Sequence, residues 1–147
     1  MLDGLVDIYL PDLKYYSSEL SSRYSSSPDY FCFALAAIEE MLRQQPCAEF
    51  DDEGIMQKGV IVRHLVLPKA YSDSMKLLDI ISGLSSPPPV SIMRQYTPCY
   101  DAKNYPEIDR KLTTFEYEKV VDHCADLGLK GFMQQKGCET LEMTPEW

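Results

Sequence analysis

The stretch Val60–Leu67 (VIVRHLVL) is a nearly continuous apolar run, rich in β-branched residues and closed by Pro68. Such a run is typical of a strand that is buried on both faces of a parallel sheet. The sequence on both sides of it alternates short strand candidates with segments of helical periodicity. The run therefore predicts a central strand in an α/β fold.

Three further strands are predicted around this one. Val6–Leu10 (VDIYL) is typical of a short strand that Pro11 halts. Val90–Tyr96 (VSIMRQY) and Gly131–Gln134 (GFMQ) follow later in the chain. The order of strands and helices implies right-handed βαβ crossovers and a parallel sheet.

Three helices are predicted between the strands. Ser27 is a candidate N-cap for the first helix, and Ser72 or Asp73 for the second. Thr113 and Glu116 have the spacing of a capping box at the start of the third. The Ser-rich stretches at 17–27 and 85–89 are predicted to be loops.

Composition limits the classes of function. The 147 residues suit a single domain, and 14 basic against 23 acidic residues give a net charge of −9. This charge disfavours nucleic acid and anionic lipid as partners. No membrane span and no secretory signal is recognisable, so we expect a cytoplasmic protein.

The cysteines argue against a disulfide framework or a Cys-rich zinc site. They stand at positions 32, 47, 99, 124 and 138, an odd number with no two within three residues. Neither His64 nor His123 has carboxylate or thiol partners at ligand spacing. We therefore predict reduced thiols and no metal ligands in this chain.

Polar residues fall at or near three predicted strand ends, where α/β proteins bind ligands. Asp12 and Lys14 are two residues apart, so an extended backbone would point both to one face. Arg63 lies inside an apolar strand and needs a partner or a cavity. Gln95 and Tyr96 end the third strand.

Each of these residues also has a purely structural interpretation. Asp12 and Lys14 could form a salt bridge with each other, and Arg63 could pair with a structural acid such as Glu53. Gln95 could serve as a simple hydrogen-bonding group. The residues alone do not provide a complete catalytic set.

Four blocks of sequence carry a resemblance to a known family. They are DIYLPDLKY (7–15), IVRHLVLP (61–68), SIMRQYTP (91–98) and FEYEKV (115–120). In this order and spacing they resemble the C-terminal part of radical S-adenosylmethionine proteins of the pyruvate formate-lyase activating enzyme subgroup. The resemblance implies that residues 1–147 form the second half of a partial (β/α)6 TIM-like barrel, whose N-terminal cluster-binding half lies outside this chain.

The resemblance also implies roles in binding S-adenosylmethionine. Asp12 and Lys14 match a D-x-K motif that holds the methionine part and the substrate region. Arg63 matches an arginine near the ribose and carboxylate, and the backbone of Leu65 would face the adenine. Gln95 and Tyr96 occupy a strand end where activating enzymes often have a histidine, a departure that weakens this match.

The cluster motif of the family is missing from this chain. Radical S-adenosylmethionine enzymes hold a [4Fe–4S] cluster through CxxxCxxC, and none of the five cysteines has this spacing. The resemblance thus implies an oxidoreductase that generates a 5′-deoxyadenosyl radical only in a full-length parent. We predict that the chain alone has no catalytic or metal-binding residue and is inactive.

Two other functions remain open. Lys14 beside Asp12 could serve a Schiff-base barrel lyase. Alternatively, the strand ends could bind a peptide or a partner subunit without catalysis. The substrate, whether a protein or a small molecule, cannot be predicted from this sequence.

A half-barrel would leave part of its sheet uncovered. We expect an open edge at Val6–Leu10, and an inward face that exposes apolar side chains of Ile8, Leu10, Val62 and Val66. The missing half, or a second copy in a homodimer, would cover them. The Ser-rich loop or the C-terminal tail ending in Trp147 could instead fold over the gap.

Overall fold

The structure is a computed structural model that describes residues 2–133. Within that range it contains six strands, four α-helices and one short 3₁₀ helix. The strands are β1 (Ile8–Tyr9), β2 (Glu49–Phe50), β3 (Met56–Val60), β4 (Val62–Leu65), β5 (Val90–Met93) and β6 (Gly131–Met133). The helices are α1 (Ser18–Ser25), α2 (Tyr30–Gln44), α3 (Tyr71–Ser82) and α4 (Thr114–Asp126), with the 3₁₀ helix at Tyr100–Asn104. The predicted α/β class is confirmed.

The parallel strands follow one another in chain order. β1 pairs with β3, β4 with β5, and β5 with β6, all in parallel, while β2 adds an antiparallel hairpin strand to β3. β3 and β4 are separated only by Ile61, whose main-chain N–H donates to Tyr9. The two small sheets therefore continue into each other along β1.

Pro11 does not halt this pairing, contrary to our expectation. The Pro11 carbonyl accepts from the main-chain N–H of Arg63 at 2.8 Å, and the N–H of Leu13 donates to the Arg63 carbonyl at 2.9 Å. Proline lacks only the donor, so its carbonyl still serves the ladder. The first strand consequently runs on to an isolated parallel bridge between Asp12 and Arg63.

The central strand is not buried on both faces. Val62 and Val66 are fully buried, whereas Arg63 and Leu65 between them are only partly buried. Successive side chains of a strand point to opposite faces, so the run has one covered and one open face. Our prediction that Val62 and Val66 face the open side is therefore wrong.

Helices cover a single face of the sheet within the described residues. The buried strand residues join one apolar cluster with the inner faces of α3 and α4. This cluster includes Val60, Val62, Val66, Leu77, Leu78, Ile81, Val90, Ile92, Tyr117, Val120 and Cys124. On the other face Ile8 and Leu10 remain 37% and 51% exposed, as predicted.

The serine-rich stretch at 17–27 is largely helical, and not a loop. Ser17 caps α1 through its side chain, which accepts from the N–H of Leu20 at 3.1 Å. Ser26 ends α1 in the left-handed conformation, with φ of 51°. Ser27 lies in the turn that follows, so α2 begins only at Tyr30 and Ser27 is not its N-cap.

The other two predicted helix starts have different outcomes. Neither Ser72 nor Asp73 caps α3, which begins at Tyr71 without a side-chain cap. The capping box of Thr113 and Glu116 at the start of α4 is confirmed.

The predicted last strand is present as β6. Gln134, which the prediction included, and the tail ending in Trp147 lie outside the described residues. Between residues 2 and 133, no helix has the length and apolar character needed to cross a membrane.

Candidate functional site

Asp12 and Arg63 form an ion pair on the open sheet face, beside the edge strand β1. The Nη2 and Nε atoms of Arg63 lie 2.7 Å and 2.8 Å from Oδ1 of Asp12. The partner of Arg63 is therefore Asp12, and not the structural acid Glu53 that the sequence suggested. Both side chains remain accessible, with 42% of Arg63 and 36% of Asp12 exposed. Because both charged groups are accessible to solvent, a charged ligand can replace the contact between them.

Leu65 lies two residues beyond Arg63, at the end of β4. It is partly buried and pairs in register with Met93 of β5. The alternation of the strand gives Leu65 the same face as Arg63. Three of the predicted residues, Asp12, Arg63 and Leu65, thus occupy one region of the open face.

Lys14 does not pair with Asp12, which already accepts from Arg63. Its side chain is exposed and forms no ion pair with any residue between 2 and 133. Its main-chain N–H donates to the Tyr30 hydroxyl at 3.0 Å, and that hydroxyl donates to the Asp12 carbonyl at 2.9 Å. Tyr30, which the sequence did not single out, thereby fixes the backbone of the D-x-K segment. Asp12 and Tyr30 also line a cavity of about 540 Å³ beside the N-terminus of α2.

Two buried groups hold the loop that follows the first strand. The Asp73 carboxylate accepts from the main-chain N–H groups of Tyr16 and Ser17 at 2.8 Å and 2.9 Å. Nδ1 of His64 lies 2.7 Å from the carbonyl of Leu13, and burial lowers the pKa of this histidine. The neutral ring therefore donates through Nδ1 to the carbonyl.

The loop after β4 is held by Glu116 of α4. The Glu116 carboxylate accepts from the main-chain N–H of Lys69 at 2.6 Å, from Arg110 at 2.6 Å and 2.9 Å, and from Thr113. These donors, with Arg110 first, lower the pKa of Glu116 to about 2. The capping box thus also anchors the loop at the carboxyl end of β4.

Gln95 and Tyr96 follow β5, and Tyr96 lies in a different environment from the ion pair. Gln95 is exposed. The Tyr96 hydroxyl donates to the Ile108 carbonyl at 2.9 Å, and its ring lines a separate cavity. The structure therefore brings together Asp12, Arg63 and Leu65 but gives Tyr96 other neighbours.

This separate cavity, which we call the tyrosine cavity, has a volume of about 290 Å³ at the carboxyl ends of the strands. Five tyrosines line it, together with Cys99 and Asp101. The tyrosines are Tyr15, Tyr24, Tyr96, Tyr100 and Tyr105. No local pattern of the sequence indicates this cavity, although ten tyrosines in 147 residues are a compositional signal.

The described residues contain no arrangement that could hold a metal ion. Between residues 2 and 133, no three His, Cys, Asp or Glu side chains are grouped for metal binding. Of the four cysteines in that range, Cys32, Cys47 and Cys99 are exposed and Cys124 is buried.

Comparison with known proteins identifies one curated relative. The chain is 35% identical over 123 residues to an uncharacterized protein from Methanocaldococcus jannaschii. The match covers 83% of this chain but only 32% of the relative, so the chain spans about a third of that protein's length. No protein-family model matches the chain. No solved structure matches it either.

Proposed function

We propose that this chain is the C-terminal barrel segment of a radical S-adenosylmethionine protein that resembles pyruvate formate-lyase activating enzymes. Its role in the full-length protein is to contribute contacts to S-adenosylmethionine and to the substrate. The observation that carries the proposal is the accessible Asp12–Arg63 pair on the open face of a parallel sheet.

The strand order supports the barrel part of the proposal. Parallel strands that neighbour each other in chain order, with helices over one face, are the repeating arrangement of a (β/α) barrel. The bridge between Asp12 and Arg63 joins the two small sheets into this order. Such barrels bind ligands at the carboxyl ends of their strands. Asp12 follows the end of β1, and Arg63 lies inside β4, two residues before its last residue.

The charges of the site suit the amino-acid part of S-adenosylmethionine. This part carries an ammonium and a carboxylate, which Asp12 and Arg63 match with opposite charge. The backbone near Leu65 would lie beside the adenine. When bound in the full-length enzyme, S-adenosylmethionine supplies the hydrogen-abstracting chemistry of this class. The described part of this chain binds and orients the molecule.

The described cysteines do not fit an iron–sulfur cluster. Three of them are exposed at separate positions on α2, the loop after it and the loop after β5, and the fourth is buried under α4. A [4Fe–4S] cluster needs three thiolates from one loop in this family, so it belongs to the full-length parent only. No step through a cluster is assigned to residues 2–133.

The free edge of β1 and the exposed Ile8 and Leu10 support a partner surface. In the proposed function the preceding half of the barrel covers this surface. The same edge favours the second candidate, a non-catalytic module that binds a peptide as an added strand. The lyase candidate lacks such support, because Lys14 is exposed and a Schiff-base lysine is activated by desolvation.

Titration of ¹⁵N-labelled chain with S-adenosylmethionine tests the proposal. We expect saturable shifts of the amide signals of Asp12, Arg63 and Leu65. Arg63→Met should weaken binding roughly tenfold or more, as expected for a lost charge-assisted hydrogen bond. Arg43→Met, which removes a surface arginine paired with Glu40 on α2, is the matched control and should leave binding unchanged.

Absence of saturable shifts at these three amides would overturn the proposal. Shifts at Ile8 and Leu10 with an added extended peptide, but none with the nucleoside, would favour the binding module instead.

A further inference from the structure

The tyrosine cavity has a lining that suits a cation. Aromatic faces carry negative electrostatic potential and attract cations within about 6 Å of the ring centroid. The lining of the cavity includes five tyrosines and Asp101, and no described lysine or arginine. With a net charge of −9 the whole chain adds to this preference.

The tyrosine rings are fixed by bonds made through their hydroxyl groups. Tyr24 donates to Oε1 of Glu107 at 2.9 Å, and Tyr96 donates to the Ile108 carbonyl at 2.9 Å. The Tyr15 hydroxyl lies 3.1 Å from Oγ of Ser25. These three hydroxyl groups therefore hold their rings in place at the cavity.

A cation already stacks on part of this ring cluster. The Arg23 guanidinium lies 5.1 Å from the ring centroid of Tyr105 and 6.0 Å from that of Tyr24. These two rings contact each other edge to face, with centroids 5.3 Å apart. The rings are therefore placed where their faces can accept positive charge.

Tyr100 at the cavity wall is an independent sign of function. Its φ of 50° is in the left-handed region, which is costly for a bulky side chain. Its ring is 74% exposed and makes no hydrogen bond or ring contact with the rest of the described chain. Tyr100 begins the 3₁₀ helix, and its exposed ring remains available to a ligand in the cavity.

From this geometry we propose that the tyrosine cavity binds a quaternary ammonium group. A volume of about 290 Å³ accommodates a trimethylammonium head with a short stem. Methyl groups would pack on the rings, and the delocalised charge would face the ring π-systems and Asp101. The group could belong to a free small molecule or to a trimethylated lysine of a peptide, which share this chemistry.

Calorimetric titration of the chain with choline and with a trimethyl-lysine peptide distinguishes the two sources. The neutral isostere 3,3-dimethylbutanol has the same shape as choline without the charge. We expect it to bind roughly fivefold or more weakly, the range for a cation over aromatic rings. Equal binding of the isostere, or no binding of either cation, would overturn the proposal.

Two variants of one exposed residue provide a matched pair. Tyr100→Phe keeps the ring and should retain binding, whereas Tyr100→Leu should weaken it roughly threefold or more. Equal affinity of both variants for choline would contradict the proposal. Because Tyr100 is exposed, neither change should unfold the protein, which thermal melting checks.

S-adenosylmethionine serves as a third probe because it carries a sulfonium cation. We expect it not to displace choline, since Asp12 and Arg63 do not line this cavity. Displacement would assign the cavity to the nucleoside and overturn a separate ammonium site. Binding of choline without any S-adenosylmethionine binding would overturn the proposed function but not this inference.

Discussion

The Tyr30 hydroxyl donates a hydrogen bond to the main-chain carbonyl of Asp12 over 2.9 Å, on the free edge of the first strand. The same hydroxyl accepts from the N–H of Lys14, so one side chain satisfies two edge groups that a neighbouring strand would otherwise pair. β1 is an edge strand within the described residues. Tyr30 therefore closes the end of the edge nearest the site and leaves the part at Ile8 and Leu10 open.

Removing this hydroxyl should loosen the D-x-K segment. We expect Tyr30→Phe to lower the free energy of unfolding by about 1–2 kcal/mol, since one partly buried and one exposed hydrogen bond are lost. Amide exchange at Lys14 should accelerate in the same variant. Tyr100→Phe is the control, because its exposed hydroxyl should change stability by less than about 0.5 kcal/mol. Equal stability of the two variants would contradict the bridging role.

Glu116 should make stability depend on pH in the acid range. Its folded-state pKa is about 2 and its unfolded value is near 4.5. The unfolded chain therefore binds the proton first as the pH falls, and stability is lost between about 4.5 and 2. Glu116→Gln should lower the free energy of unfolding by up to about 3 kcal/mol at neutral pH and make it depend less on pH in the acid range. Denaturant unfolding at a series of pH values measures both effects, and a variant with unchanged pH dependence would disprove the assignment.

His64 should make the stability of the protein depend on pH in a second, higher range. Burial lowers its folded-state pKa, so the unfolded chain takes up a proton near pH 6.5 while the folded chain does not. Stability should be complete above that pH and fall below it by at most about 1.4 kcal/mol per pH unit. His64→Asn, whose amide can still donate to Leu13, should abolish this loss. His123→Asn on α4 is the control, and a loss that persists in the His64 variant would refute the prediction.

The open edge and face should promote self-association. We expect the chain to form a two-fold dimer at micromolar concentration, which sedimentation velocity detects. Leu10→Lys should shift it toward the monomer, because a lysine at a free edge blocks pairing with another strand. Leu5→Lys changes another exposed leucine, in the turn before β1, and should have no effect. If the wild-type chain sediments as a monomer at every concentration, another part of this chain covers the open edge and face.

Iron–sulfide reconstitution should yield little cluster on this chain. The expectation depends on the spacing of the cysteines at 32, 47, 99, 124 and 138, which form no CxxxCxxC motif. Anaerobic reconstitution followed by iron quantification and EPR after dithionite measures it. A stoichiometric [4Fe–4S] signal would contradict the prediction.

Local sequence determined the class of fold and a large part of the secondary structure. The apolar runs, the helical periodicity and the capping box of Thr113 and Glu116 depend on neighbours within one or two turns, so a single pass along the chain detects them. The same pass placed Asp12 and Arg63 at or near strand ends. It missed α1, because a serine-rich segment has weak periodicity and is helical here through its Ser17 cap and its packing against α2.

Only the tertiary structure decided which of these residues meet. Arg63 finds Asp12 across 51 positions of sequence because the register of two parallel strands sets them side by side. Register likewise decided that Val62 is buried and Leu10 exposed, since one step along a strand changes the face. The tyrosine cavity gathers rings from the segments that follow β1 and β5, and no local spacing encodes such a meeting. Secondary-structure propensity depends on a few neighbouring residues. The contacts between distant residues depend instead on how the helices pack on one side of the sheet.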